Sequence, residues 1–139
     1  MKILSCSCGN GLQDLAPFVL RVAAGLIFLV HGWQKLGMGV DGVAGMLGSL
    51  GFPLPVLMAL VLIFAELVGG IMLIVGLFTH WVAKVLAFVA LVAWLTVHAS
   101  KGFLISAGGF EFIMLIFAAT VAIAILGPGR WSVDRALRK

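Results

Sequence analysis

An apolar stretch from Leu15 to Gly37 is long enough to cross a bilayer, and its length constrains the fold more than any other feature. A bilayer core about 30 Å thick requires about 20 apolar residues in a helix, because a helix rises about 1.5 Å per residue. The chain has 139 residues, of which 63% are hydrophobic and 10% charged, and its mean hydropathy is +1.26. This composition predicts an integral membrane protein, and the length accommodates four spans in one all-α domain.

The apolar segments along the chain predict a four-transmembrane-helix bundle. The four spans are expected at residues 15–36, 57–78, 81–100 and 110–126. Six glycines and the FPLP run fall between the first two spans, in residues 37–55. Because glycine and proline destabilise a helix interior, this segment is predicted to be a Gly-rich loop or half-inserted element, with a short helix near 42–50.

The two ends of the chain are predicted to lie outside the bundle, which covers residues 15–129. Residues 1–14 are expected to form a mobile polar leader, in which Cys6 and Cys8 lack the second half of a tetrahedral metal site. Residues 130–139 are expected to form a basic cytoplasmic tail. No metal site is predicted.

The distribution of cations predicts the orientation of the chain and argues against nucleic acid as a partner. The net charge is +4, but the nine Lys and Arg are scattered apart from the cluster after residue 129. With four spans, two cations lie on one side, Lys35 and Lys101. Six lie on the other side, Lys2, Lys84, Arg130, Arg135, Arg138 and Lys139. The positive-inside rule then places both termini in the cytoplasm.

Each predicted span carries an ionisable residue on a stripe at helical spacing, which is expected to face the bundle interior. The stripes are Arg21, Gly25, Phe28, Gly32 and Lys35; Ala59, Leu62, Glu66, Gly69 or Gly70 and Leu73; Lys84, Ala87, Leu91, Trp94 and His98; and Glu111, Leu115, Ala118, Ala122 and Ile125. Small residues on the first two stripes should allow two helix backbones to approach closely.

These stripes predict a polar pocket in the outer half of the bundle. Glu66 and His31 are the candidate catalytic residues, because burial and neighbouring charges can adapt carboxylates and imidazoles to proton exchange. The candidate substrate-binding residues are Arg21, Lys35, His98, Glu111 and Trp94. Arg21 and Lys35 would balance Glu66 and Glu111, with the long Arg21 side chain reaching toward Glu66.

Several interpretations of the same residues stay open. A buried ion pair can specify helix register without any chemistry, in which case the protein is a scaffold or assembly subunit. Buried acids and histidines also build pathways for protons or small solutes, although no inverted repeat supports alternating access. His31 and His98 lie at similar predicted depths and could ligate a haem. Trp94 could pack in the bundle without touching a ligand.

The order and spacing of several short motifs resemble the DoxX family of small four-helix membrane proteins. The resemblance covers about residues 15–134, and it rests on LRVAAGLIFLVHGWQKL at 20–36, LGFPLP at 50–55, AELVGGIMLIVGLFT at 65–79, VHASKGF at 97–103, GGFEF at 108–112 and GPGRWSVD at 127–134. The positions that match polar residues of the family are Arg21, His31, Lys35, Glu66, His98 and Glu111.

The resemblance implies a multi-pass protein of the bacterial inner (plasma) membrane with a role in membrane-linked redox chemistry. One branch of the family supplies a subunit of a thiosulfate:quinone oxidoreductase, and others are associated with oxidative-stress systems. We therefore predict a quinone-interacting component, with quinone as the bound molecule and a redox partner subunit as the source or acceptor of electrons. The substrate, the partner and the oligomeric state, a homo-oligomer included, are left open.

Overall fold

The computed structural model describes residues 15–138, all of whose regular structure is helical. The predictions for the leader and for Cys6 and Cys8 lie outside the described residues. Five α-helices follow one another: α1 (Leu15–Ser49), α2 (Pro55–Val75), α3 (Thr79–Ala93), α4 (Glu111–Leu126) and the short α5 (Val133–Ala136). The predicted all-α class is confirmed.

Three of the helical stretches are long and apolar enough to cross a membrane. They are α1, α2 and the stretch Thr79–Lys101, in which α3 continues as a π-helical turn (Trp94–His98) and a 3₁₀ turn (Ala99–Lys101). The fourth, α4, is apolar but has only 16 residues, which corresponds to about 24 Å of helix. The chain is therefore a membrane protein with three long apolar helices and one shorter one.

Helix α1 continues well beyond the predicted end of the first span. Gly39 has non-helical torsion angles (φ 75°, ψ 158°) and kinks the helix, but helical residues lie on both sides of it. The second half buries Val43 and Leu47 in one cluster with Ala59 and Ile63 of α2. This tertiary packing outweighs the low helix propensity of the surrounding glycines, so the chain is helical up to Ser49, across most of the short helix expected near 42–50.

Helices α1 and α2 run antiparallel in close contact, as their small residues predict. A Cβ atom added at Gly70 would lie 2.7 Å from the Leu29 nitrogen, and one at Gly32 would lie 2.8 Å from the Leu67 nitrogen. Such distances leave no space for a side chain, so glycine is required at these positions by the approach of the two backbones. The stripes predicted on α1 and α2 are buried or half-buried throughout.

The stripes predicted for the other two spans are partly wrong. On α4 the buried side chains are Ile116, Thr120 and Ile123, whereas Leu115 and Ile125 of the predicted stripe are 63% and 79% exposed. Helix α4 is apolar around nearly its whole circumference, so its sequence does not distinguish the face that packs from the face that meets lipid.

On α3, Lys84 is the one member of the predicted stripe that is exposed, as suits a cation that anchors a helix at the membrane interface. The Lys84 ammonium lies 4.7 Å from the centre of the Trp81 ring. The residues that pack against the core are Val82, Ala83, Leu86 and Ala90.

Candidate functional site

An ion pair lies between α1 and α2. The Lys35 ammonium donates to both carboxylate oxygens of Glu66, at 2.9 Å to Oε1 and 2.6 Å to Oε2. Glu66 is only 5% exposed, and the Lys35 side chain is 18% exposed. Gly32 lies one turn before Lys35 and contacts Glu66, so the close helix approach brings the ammonium within reach of the carboxylate.

His31 lies beside this pair but takes no part in it. It precedes Lys35 by four residues, so the two side chains are neighbours on the surface of α1. The His31 residue is exposed, and it lies within electrostatic range of both Lys35 and His98. The arrangement therefore consists of a buried carboxylate, a half-buried ammonium and an exposed imidazole.

The structure places Arg21 far from Glu66, which corrects the prediction that its side chain reaches toward the pair. Arg21 is completely buried, so it faces inward as expected. Its Nη1 donates to the carbonyl oxygens of Leu73 (2.9 Å) and Ile74 (2.8 Å), and its Nη2 donates to that of Trp131. A guanidinium presents five donors in a rigid fork, so it can satisfy several carbonyls at the end of α2 at once.

The carboxylate of Glu111 is bonded to the loop that precedes α4. Its Oε1 accepts a hydrogen bond from the Ile105 nitrogen at 2.6 Å, within the loop that precedes α4. The same loop is closed by backbone bonds from Phe110 to Gly102 and from Glu111 to Phe103. Glu111 thus has a structural contact in this loop, and a pocket that it shares with Glu66 stays a prediction.

His98 and Trp94 also stabilise this loop. The His98 Nδ1 donates to the Gly108 carbonyl at 2.8 Å. The Trp94 ring stacks on Phe110 with 5.5 Å between centroids and meets Phe117 edge-on at 6.0 Å. These contacts correspond to the packing role that the sequence left open for Trp94.

The sequence did not reveal the residues that hold together the end of α2 and the start of α3. Asp134 accepts hydrogen bonds from the backbone nitrogens of Phe78 (2.7 Å) and Thr79 (2.8 Å) and so caps the start of α3. Its own nitrogen donates to the Gly76 carbonyl at 2.9 Å. Because 55 residues separate Thr79 from its cap, no local sequence signal could have revealed it.

We call this group the clasp, and define it as Arg21, Gly76, Thr79, Trp131 and Asp134. Burial acts to raise the pKa of the Asp134 carboxyl, but the backbone N–H groups of Thr79 and Phe78 and the charge of Arg138 outweigh it and lower the pKa. The segment predicted as a basic tail thus contributes residues that hold the ends of three helices together.

Two of the cavities among residues 15–138 are lined by residues other than Glu66, Lys35 and His31. One, of about 740 Å³, is an apolar groove between α2 and α3. The other, of about 450 Å³, lies between α3 and α4 and includes His80 and Lys84. The polar pocket around Glu66 stays a prediction. Within residues 15–138, no three His, Cys, Asp or Glu side chains come together as a metal site requires.

The fold and the buried ion pair define a small helical membrane protein, and comparison with known proteins identifies its family. The DoxX family profile matches residues 16–99, which is more than half of the chain. The chain belongs to the DoxX family. No solved structure matches it.

Three relatives match most of the chain. "Putative oxidoreductase CatD" of Bacillus subtilis (strain 168) is 34% identical over 125 residues, which cover 90% of this chain and 89% of the relative. "Inner membrane protein YphA" of Escherichia coli (strain K12) is 33% identical over 84% of this chain and 86% of its own length. "Inner membrane protein YqjF" of the same organism is 28% identical over 92% and 96%.

Proposed function

We propose that this protein is a quinone-interacting component of a membrane redox system, in which the Lys35–Glu66 pair exchanges protons with the quinone. The observation that carries the proposal is the buried carboxylate of Glu66, which is held by an ammonium within 2.9 Å and bordered by an exposed imidazole. An ionisable pair at bilayer depth is energetically expensive and marks a functional site by default.

His31, Lys35 and Glu66 follow one another from exposed to buried, and this arrangement suits the chemistry of a quinone. Reduction of a quinone to a quinol adds two electrons and two protons, and its carbonyl oxygens need hydrogen-bond donors. His31 and the half-buried Lys35 lie where a ring dissolved in the bilayer can approach them, with Glu66 behind Lys35 as the proton acceptor or donor. Lysine, glutamate and histidine supply protons but no electrons to a quinone, so the electrons are expected from a redox partner subunit.

The relatives support the class of activity and the location. CatD is named as an oxidoreductase, and YphA and YqjF are named as inner membrane proteins. We infer a bacterial inner-membrane location, with the clasp at the cytoplasmic end because Arg130, Arg135 and Arg138 lie there.

Quinone binding to the purified protein in nanodiscs tests the proposal directly. A short-chain quinone quenches tryptophan fluorescence, and Trp33 lies two residues from His31. We expect saturable quenching whose dissociation constant rises at least about tenfold in Glu66→Gln and in Lys35→Met, which is about 1.4 kcal/mol. Lys101→Gln is the matched control and should bind like the wild type. Equal binding by all four proteins, or no saturable binding, would refute the proposal.

A non-catalytic scaffold is the second candidate, because most of the other predicted site residues make structural contacts. Arg21, His98 and Glu111 are each bonded to backbone groups that fix helix ends or a loop. Glu66→Gln separates the candidates. Loss of quinone binding by a folded protein supports chemistry, whereas loss of the folded protein alone supports a scaffold.

A further inference from the structure

We propose that the cavity between α3 and α4 is a binding site for an anionic phospholipid, with Lys84 and His80 at its phosphate and the first part of an acyl chain along its apolar floor. The cavity has a volume of about 450 Å³ and lies beside the clasp end of α3. It is lined by His80, Lys84, Ala87, Val121, Ala124 and Ile125. It is separate from the Lys35–Glu66 pair, so this inference does not depend on the proposed function.

The lining residues divide the cavity into a cationic end and an apolar floor. His80, Lys84 and Ala87 succeed each other at i, i+4 and i+7 on α3, so the cavity follows one face of that helix for about 10 Å. Both polar side chains lie toward the start of α3. Ala87 and Val121 supply apolar surface deeper along the helices. This order matches an amphiphile whose charged group lies at the membrane surface.

Lys84 is held at the cationic end by its aromatic neighbour. Its ammonium lies 4.7 Å from the centre of the Trp81 ring, and Trp81 is 67% exposed. A tryptophan of this kind sits at the level of the lipid headgroups, where a cation above its ring meets phosphate. Among residues 15–138 the only salt bridge is that of Lys35 with Glu66, so no carboxylate of this part of the chain neutralises Lys84.

The position of His80 follows from a proline in the segment after α4. The Ala124 carbonyl would normally accept from the backbone nitrogen of residue 128, but that residue is Pro128 and has no N–H. The His80 Nδ1 donates to this carbonyl at 2.7 Å instead. The bond orients the ring at the cavity and leaves Nε2 for a ligand, and Nε2 donates to a phosphate oxygen when the imidazole carries both protons.

Phospholipid is the favoured ligand because the surroundings of the cavity are cationic and membrane-facing. Arg130, Arg135 and Arg138 are exposed on the segment that follows α4, at the same end of the molecule. Basic pockets between membrane helices on the cytoplasmic side bind acidic lipid headgroups, and each Lys or Arg near an anionic surface adds about 1 kcal/mol of attraction.

Native mass spectrometry of the protein from nanodiscs tests this site. The nanodiscs contain equal amounts of phosphatidylglycerol and phosphatidylcholine with matched acyl chains. We expect the wild type to retain phosphatidylglycerol at least about fivefold over phosphatidylcholine. Lys84→Gln should abolish this preference, Lys84→Arg should restore it, and Lys101→Gln, an exposed lysine at the other end, should leave it unchanged.

Four outcomes would overturn the site. The first is equal retention of both lipids by the wild type, and the second is equal loss in Lys84→Gln and Lys101→Gln, which indicates diffuse charge attraction. In the third, glycerol 1-phosphate displaces phosphatidylglycerol completely at equal concentration, which indicates a phosphate site without an acyl contribution. Val121→Phe fills the floor without changing charge and should reduce retention at least about threefold; unchanged retention also contradicts the proposal.

Discussion

The two cations of α1 that face the protein interior are satisfied in different ways at two separate sites. Arg21 donates only to backbone carbonyls and closes one end of the bundle, whereas Lys35 meets a buried carboxylate. Fourteen residues of helix, or about 21 Å, separate them. A planar guanidinium can cap a helix end by itself, while a compact ammonium in an apolar region requires an anion. The first site holds helix ends together, and the second is the one that we propose for proton exchange.

Substitution of Arg21 is expected to have the largest effect on stability. Arg21→Met removes the donor for the Ile74 and Trp131 carbonyls inside the protein, and we expect the free energy of unfolding in mixed micelles to fall by about 4 kcal/mol. Arg135→Met, at an exposed arginine of the same end, should change it by less than about 0.5 kcal/mol. If Arg21→Met leaves unfolding unchanged and abolishes quinone binding, Arg21 belongs to the functional site after all.

Breaking the ion pair from one side should have the next largest effect. Lys35→Met leaves the Glu66 carboxylate buried without its partner, and we expect a loss of about 3 kcal/mol in the same unfolding assay. The double variant Lys35→Met, Glu66→Leu removes both charges and should recover most of that stability while quinone binding stays lost. A double variant as unstable as Lys35→Met would show that the pair acts through packing.

Gly70 lies between the two sites along α2 and tests whether they share the contact of α1 with α2. The added methyl group of Gly70→Ala would meet the Leu29 backbone at 2.7 Å and force the helices apart. We expect a loss of about 2 kcal/mol and weaker quinone binding, because the Lys35–Glu66 contact spans the same interface. Gly45→Ala, where an added Cβ meets nothing within 4 Å, is the control and should be neutral or slightly stabilising. Neutral behaviour of Gly70→Ala would contradict the close approach.

Asp134 is expected to give the smallest effect, and one that depends on pH. Asp134→Ala removes the cap of α3 and should lower the free energy of unfolding by about 1 kcal/mol at pH 7. The folded pKa of Asp134 lies below its ordinary value of 3.8, so its contribution is full above that value and is lost as the pH falls through the lower folded pKa. The difference between wild type and variant, followed by unfolding between pH 7 and pH 2, should therefore shrink at the acidic end. A constant difference would show that the carboxylate charge has no part in the cap.

The contrast between α1 and α4 shows why some of the sequence predictions succeeded and others failed. On α1 the glycines and cations recur at helical spacing among large apolar residues, so the buried face could be recognised before the fold was known. On α4 both faces are apolar, and Ile116 rather than Leu115 packs inward for reasons that depend on α3. The sequence also predicts a short helix near 42–50, but it does not show that this helix follows the first span directly, with only Gly39 non-helical between them.

The amino-acid sequence by itself determined the class of the protein, its number of apolar helices and the close contact of α1 with α2. These properties depend on composition and local periodicity, which are present in the chain before it folds. Only the tertiary structure decided which charges meet. Lys35 pairs with Glu66, Arg21 with the carbonyls at the end of α2, and Asp134 with the start of α3. Such partners are separated by 31 to 55 residues, and their distance in space is set by helix packing and not by any local pattern.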